Sequence, residues 1–184
     1  LRELDYHGSL LEALRQAFDT QDLPYEGIIK ESAPSQFEIN VAHSDDVILL
    51  ADQVIRMQRT IRAVSARHGF VASFMPKPID DEAGNGLHVH CSLLDENGTN
   101  VFDDGGEEGS DLLRNAVAGC LDLLPASMLL FAPSFNAYRR FQPGNHAPTE
   151  SAWGYDNRTT AIRIPESPSA ARRLEHRVAG ADAN

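Results

Sequence analysis

Helices and largely antiparallel strands in mixed order predict an α+β fold for this chain of 184 residues. Two observations carry the prediction. Long segments repeat apolar residues at intervals of three and four, the period of a helix with one buried face. Shorter runs alternate apolar and polar residues, or pair across a Ser/Pro turn, as half-buried strands do. The two kinds do not alternate regularly, which separates the sequence from a doubly wound sheet. An apolar fraction of 42% is that of an ordinary globular chain able to bury a core.

The elements follow in order. Ser9 is placed to cap a first helix, "LLEALRQAF", with Leu10, Leu11, Leu14 and Phe18 on one side. "YEGIIKESAPSQFEINVA" reads as two strands around a Ser/Pro turn. Ser44 then caps the clearest helix. Asp45 and Asp46 occupy its first turn, and Val47, Leu50, Val54, Met57, Ile61 and Val64 form its stripe before His68-Gly69 ends it. "FVASFMPKP" predicts a strand closed by prolines, and "GLHVHCSLL" another. The acidic, glycine-rich segment 103–111 is a surface loop leading into a helix over Leu112, Leu113, Ala116, Val117, Cys120, Leu121 and Leu124. A long loop, "SFNAYRRFQPGNHAPTESAWGYDN", precedes two strands, "TTAIRIP" and "RRLEHRVA".

The net charge of −11 and pI near 4.9 exclude nucleic acid and anionic membrane as main partners, because both repel an acidic surface. The charge is uneven. Residues 1–138 hold nine Lys and Arg against 22 Asp and Glu, whereas residues 139–184 hold seven Arg against five acids. Arginine presents a planar fork of donors, so this region fits either an anionic small molecule or a salt-bridged surface. Cys91 and Cys120 make neither a disulfide framework nor a metal motif, which predicts a reducing, cytoplasmic setting. No apolar run is read as approaching the roughly 18 residues of a membrane span, and the N-terminus lacks a signal pattern. A first residue other than Met and an abrupt end at "AGADAN" read as a piece of a longer chain.

Strand parity locates the chemistry. His88 and His90 share one face while Leu87, Val89 and Cys91 take the other, toward the core; the pair serves a metal or phosphate, or is two ordinary strand histidines. In "RRLEHRVA", Arg173, Glu175 and Arg177 oppose Leu174, His176 and Val178. That face is either a salt-bridge ladder or a carboxylate ligand between anion-binding guanidiniums. Ile162 and Ile164 point inward with Arg163 opposite, close to Asn157 and Arg158. Glu31 and Glu38 flank the first turn, where two nearby carboxylates need a cation or proton between them, or are simply separate surface residues. Taken together, hard-cation ligands and a crowd of arginines match phosphoryl transfer from a nucleotide, without a Walker-A loop or kinase signature.

"KESAPSQFEIN", "HGFVASFMPKP", "GNGLHVHCSLLDENGTNVF", "NAYRRFQPGNHAP", "NRTTAIRIP" and "ARRLEHRVAGADAN" occur in that order from residue 28 to the end. In these pieces the sequence resembles the catalytic domain of glutamine synthetase. The resemblance implies a curved antiparallel sheet backed by helices, with residues 1–184 forming part of that domain and the N-terminal domain and C-terminal remainder outside it. It implies an ATP-dependent ligase that phosphorylates the side chain of glutamate and lets ammonia or an organic amine displace phosphate from γ-glutamyl phosphate, with Mg²⁺ or Mn²⁺. By resemblance, Glu31 and Glu38 hold the metal nearer the amino acid, and His88 and Glu175 the metal nearer the phosphates. His90 contacts the nucleotide phosphates and Ser92 lies close by; Arg158, Arg163 and Arg173 bind phosphate, Arg158 steadying the transferred group. Arg140 and Arg177 grip glutamate, and Gly84 shapes its pocket. The family also implies a homo-oligomeric ring, commonly of twelve subunits. A noncatalytic relative kept for assembly or regulation is the other reading.

Three departures stand out. His146 occupies the loop position where ammonia-using members carry a catalytic Glu; a neutral imidazole supplies no negative charge for ammonium, which favours an organic amine. Ala83 replaces an Asn common before the glycine turn. Family members also bring an E-x-E strand and an N-terminal domain ahead of the region resembled here.

Overall fold

The computed structural model describes residues 2–144 and 146–182, and the chain divides into two compact units, Leu1–Ser73 and Phe74–Asn184. Helices and two sheets make up the fold, as the α+β prediction requires.

The first unit runs α1 (Arg2–Tyr6), α2 (Gly8–Thr20), β1 (Tyr25–Lys30), β2 (Phe37–Val41) and α3 (Val47–Arg67). Leu10, Leu11, Leu14 and Phe18 of α2 pack with Leu23 and with Met57 and Val64 of α3, so the predicted α2 stripe lies in the core. Of the predicted α3 stripe, Met57 and Val64 are buried and Ile61 packs against them, whereas Val47 at its start is exposed. The caps differ from prediction. The His7 N–H donates to the Glu3 carbonyl and the Leu11 N–H to the His7 carbonyl, both at 3.0 Å, so α1 runs almost directly into α2 and Ser9 lies inside the helix. Asp46, not Ser44, caps α3: its carboxylate accepts the Leu49 N–H at 2.9 Å, while the Ser44 hydroxyl accepts the Asp46 N–H at 3.1 Å. β1 and β2 form the predicted antiparallel hairpin, with Lys30 opposite Phe37 and Ile29 opposite Glu38.

The second unit contains β3 (Val89–Cys91), α4 (Asp111–Phe131), α5 (Phe135–Tyr138), β4 (Trp153–Tyr155), β5 (Ile162–Ile164) and β6 (Leu174–His176). Its sheet has the order β3-β6-β5-β4; β6 runs antiparallel to both neighbours and β4 runs parallel to β5. One face is apolar: Ile162, Ile164 and Leu174 pack on Leu113 and Val117 of α4 and on Phe102. The core continues through Leu124, Ala161 and Val178. Ser110 starts α4 by accepting the Leu113 N–H at 3.3 Å.

Four expectations are corrected. "FVASFMPKP" forms no strand; Pro76 and Pro78 have no N–H to give a ladder. The supposed long loop contains α5 and β4, which at four and three residues are too short to show a period. Val89 and Cys91 are exposed, not buried, because β3 is the sheet edge and the apolar packing lies under β5 and β6. Finally, α4 has 21 residues and is long and apolar enough to cross a membrane, contrary to the reading of the sequence, because Asp122 alone interrupts it beyond Arg114. Its packing against β5 and β6 makes it the covering helix of this sheet.

Candidate active site

The polar face of the second sheet is built by register. His90 pairs with Glu175 and Glu175 with Arg163, so three strands place a histidine, a carboxylate and a guanidinium in one row. Residues two positions away share that face, which adds His88, Arg173 and Arg177. Sequence parity named these six residues; the register shows that they meet.

Glu175 is the hub. Its Oε1 lies 2.5 Å from Nη1 of Arg177 and 3.2 Å from Nδ1 of His88, and its Oε2 accepts Nη1 of Arg163 at 3.0 Å. The residue is 2% exposed. Burial pushes its carboxyl up, but the hydrogen bond from His88 and the charges of Arg177, His88 and His90 outweigh that and hold it at about 2. A proton on Nδ1 of His88, shared with Glu175, leaves Nε2 with its lone pair, the form a metal ligand requires. His90 accepts from Nε of Arg173 through Nδ1 at 3.1 Å, so the neutral ring carries its proton on Nε2, 3.8 Å from Glu175. Burial holds the His90 imidazole below the usual histidine range, against the pull of Glu175.

Arg163 has a second partner that sequence reasoning missed. Nε donates to Oδ1 of Asp156 at 3.1 Å and Nη2 donates to the same oxygen. Burial opposes charge on Arg163, but the bonds to Asp156 and Glu175 prevail and raise it. The hydrogen bond from Arg163 holds the Asp156 carboxyl below its usual range, and the Arg158 charge acts in the same direction. An acid beside the Asn157-Arg158 pair was the available signal. Arg158, Arg163, Arg173 and Arg177 against Glu175 and Asp156 leave a surplus of two positive charges, suited to an anion.

Arg140 is placed differently from the implied substrate grip. It is 3% exposed; Nη1 donates to the Val178 carbonyl and Nη2 to the Arg177 carbonyl, both at 2.8 Å. Burial and the nearby Arg177 charge lower it to about 10. Gly84 and Gly86 make room for it: a Cβ at Gly84 would lie 2.3 Å from the Pro76 carbonyl and 3.0 Å from Arg140 Cγ, and one at Gly86 2.7 Å from Arg140 Nη2. Arg140 thus ties the glycine turn to the end of β6. Arg177 Nη2 donates to the His146 carbonyl at 3.1 Å, while its buried Nε has no hydrogen-bond partner among the described residues. His146 has a left-handed φ of 50° and, with Pro143, Gly144, Ala147, Thr149 and Thr159, lines a hollow of about 240 Å³. Ser92 directly follows β3 and Arg158 lies in the turn between β4 and β5; both are exposed.

Glu31 and Glu38 belong to the first unit. The Glu31 N–H donates to the Gln36 carbonyl at 2.9 Å, continuing the hairpin register, so both carboxylates fall on one face as diagonal neighbours. Among the described residues no three His, Cys, Asp or Glu side chains gather into a cation site. Within each unit the donor types suit a hard divalent ion: two carboxylates on the hairpin of the first, a histidine with a carboxylate on the sheet of the second. Oε2 of Glu175 accepts only Arg163 among the described residues and so keeps acceptor capacity.

The chain matches the family described as glutamine synthetase, catalytic domain, over residues 1–184. It belongs to the glutamine synthetase family. It is 42% identical over 181 residues to the gamma-glutamylputrescine synthetase of Escherichia coli, covering 98% of this chain and 38% of that protein. It is 35% identical over 182 residues to a glutamate–isopropylamine ligase of a Pseudomonas species, covering 98% of this chain and 39% of the relative. To the gamma-glutamylethanolamide synthetase of Streptomyces coelicolor it is 37% identical over 175 residues, covering 95% and 37%. The chain therefore spans less than two fifths of the length of these curated relatives.

Proposed function

We propose that this glutamine synthetase-family chain carries part of the active site of an ATP-dependent ligase joining the side-chain carboxyl of glutamate to an organic amine. The observation that carries the reading is the single sheet face on which His88, His90, Glu175, Arg163, Arg173 and Arg177 converge. The relatives named for putrescine, isopropylamine and ethanolamide products support an amine as acceptor.

In the proposed reaction a glutamate side-chain oxygen attacks the terminal phosphorus of ATP and ADP leaves. The amine nitrogen then attacks the acyl carbon, phosphate leaves, and the nitrogen loses a proton. Bound Mg²⁺ or Mn²⁺ would neutralise phosphate charge; His88 and Glu175 would hold one ion, and Glu31 and Glu38 another. Arg163 and Arg173, with His90 and Ser92, hold phosphate oxygens, and Arg158 steadies the transferred group. The unpartnered Nε of Arg177 supplies an N–H to a substrate carboxylate. The His146 imidazole accepts the amine proton. The full-length protein works as a homo-oligomeric ring.

The test is phosphate release by the full-length protein, measured while omitting one component at a time. Release requires ATP, glutamate, Mg²⁺ and an amine together. ATP turnover indifferent to glutamate refutes the reading.

A further inference from the structure

We propose that Asp156 is a positioning residue that fixes Arg163 in its bridging pose and, as a resident anion beside the phosphate-binding arginines, sets how tightly nucleotide binds. The inference rests on the ligase reading above.

Asp156 follows β4 with a left-handed φ of 46°, a conformation uncommon outside glycine and tolerated best by Asn and Asp. Its N–H donates to the Ile164 carbonyl at 2.9 Å, which carries the β4–β5 pairing past Tyr155 and sets the carboxylate beside Arg163. Oδ1 then takes the Nε and Nη2 edge of the guanidinium, while Nη1 reaches Oε2 of Glu175 at 3.0 Å. The Nε and Nη2 edge is the fork that grips a phosphate in two parallel bonds. A phosphate approaching Arg163 therefore meets a carboxylate on that edge. Whether phosphate displaces Asp156 or lies beside it, the carboxylate charge opposes its binding, while the hydrogen bonds restrain Arg163 until it arrives. Glu175 cannot play this part, because it is buried and shared with Arg177 and His88.

Asp156→Asn separates the two effects. Asn accepts the same backbone conformation and keeps one acceptor oxygen for Arg163, so the fold is retained and the charge is lost. Binding of a nonhydrolysable ATP analogue with Mg²⁺ is measured by calorimetry on the full-length protein at low and high salt, followed by kcat and KM for ATP. D156N should bind the analogue roughly three- to tenfold tighter at low salt, with the gain shrinking as salt screens the site. Its kcat should fall while KM for ATP falls with it, and D156E, which retains the charge, should keep the parental affinity. A folded D156N whose affinity is unchanged or weaker overturns the proposal, as does D156E tightening binding as much as D156N. A parent protein that binds no nucleotide overturns the ligase reading itself.

Discussion

Glu175 shows how one residue type supports two descriptions. Read as a strand residue it is either a rung of a salt-bridge ladder or a metal ligand, and the geometry supplies the ladder: His88, Arg163 and Arg177 all point at its oxygens. Replacing it with Gln leaves the buried Arg177 guanidinium without a counter-charge, which should cost about 3–5 kcal/mol of stability. Denaturant unfolding of the full-length protein would show the loss as a lower midpoint. The same carboxyl predicts an acid response in metal-free protein. Its folded value of about 2 lies below the ordinary 4.5, so the unfolded chain binds the proton first. The stability it contributes is complete above roughly pH 4.5 and is lost as pH falls toward 2. A pH series of unfolding midpoints should slope downward through that window in the parent and more gently in Glu175→Gln; equal slopes would show that other groups carry the response.

At the scale of elements, legibility followed length. The helices of 13 and 21 residues repeat their apolar period often enough to be read, and the buried residues of their stripes contribute to the cores of the two units. Strands of three residues, such as β4, leave no repeat to read, and their existence depends on a partner. Parity still worked where both faces were informative: Ile162, Ile164 and Leu174 went inward, with Arg163, Arg173 and Arg177 opposite. It failed at Val89 and Cys91, because alternation says which residues share a face and not whether anything covers that face. Leu113 sits at the centre of the packing between α4 and the sheet and has no exposed surface. Leu113→Ala should therefore destabilise the protein by about 2–5 kcal/mol, and removing the cap with Ser110→Ala by about 1 kcal/mol. Thermal unfolding of the two variants should rank them in that order.

For the whole molecule, the proposed ligase activity places the consequence in the choice of acceptor. A histidine at position 146 brings no fixed negative charge to the loop that Arg177 anchors through the His146 carbonyl. If that difference selects the amine, His146→Glu should shift the ratio of kcat/KM for ammonium over that for an alkylamine by roughly tenfold toward ammonium, the equivalent of about 1.4 kcal/mol. A panel of ammonium, ethanolamine, putrescine and short alkylamines measures this directly. Equal or better use of ammonium by the parent protein would defeat the role given to His146.

The sequence by itself determined the long helices, which strand residues share a face, and the family, because these rest on local period and on long quoted motifs. Only the tertiary structure decided the partners. His90, Arg163 and Glu175 meet through strand register, Asp156 takes the free edge of Arg163, and Arg140 turns its donors onto backbone carbonyls. Such pairings join positions 83 residues apart, as His90 and Arg173 show. Register between distant strands is set by packing of the whole sheet on α4, so no local pattern encodes it.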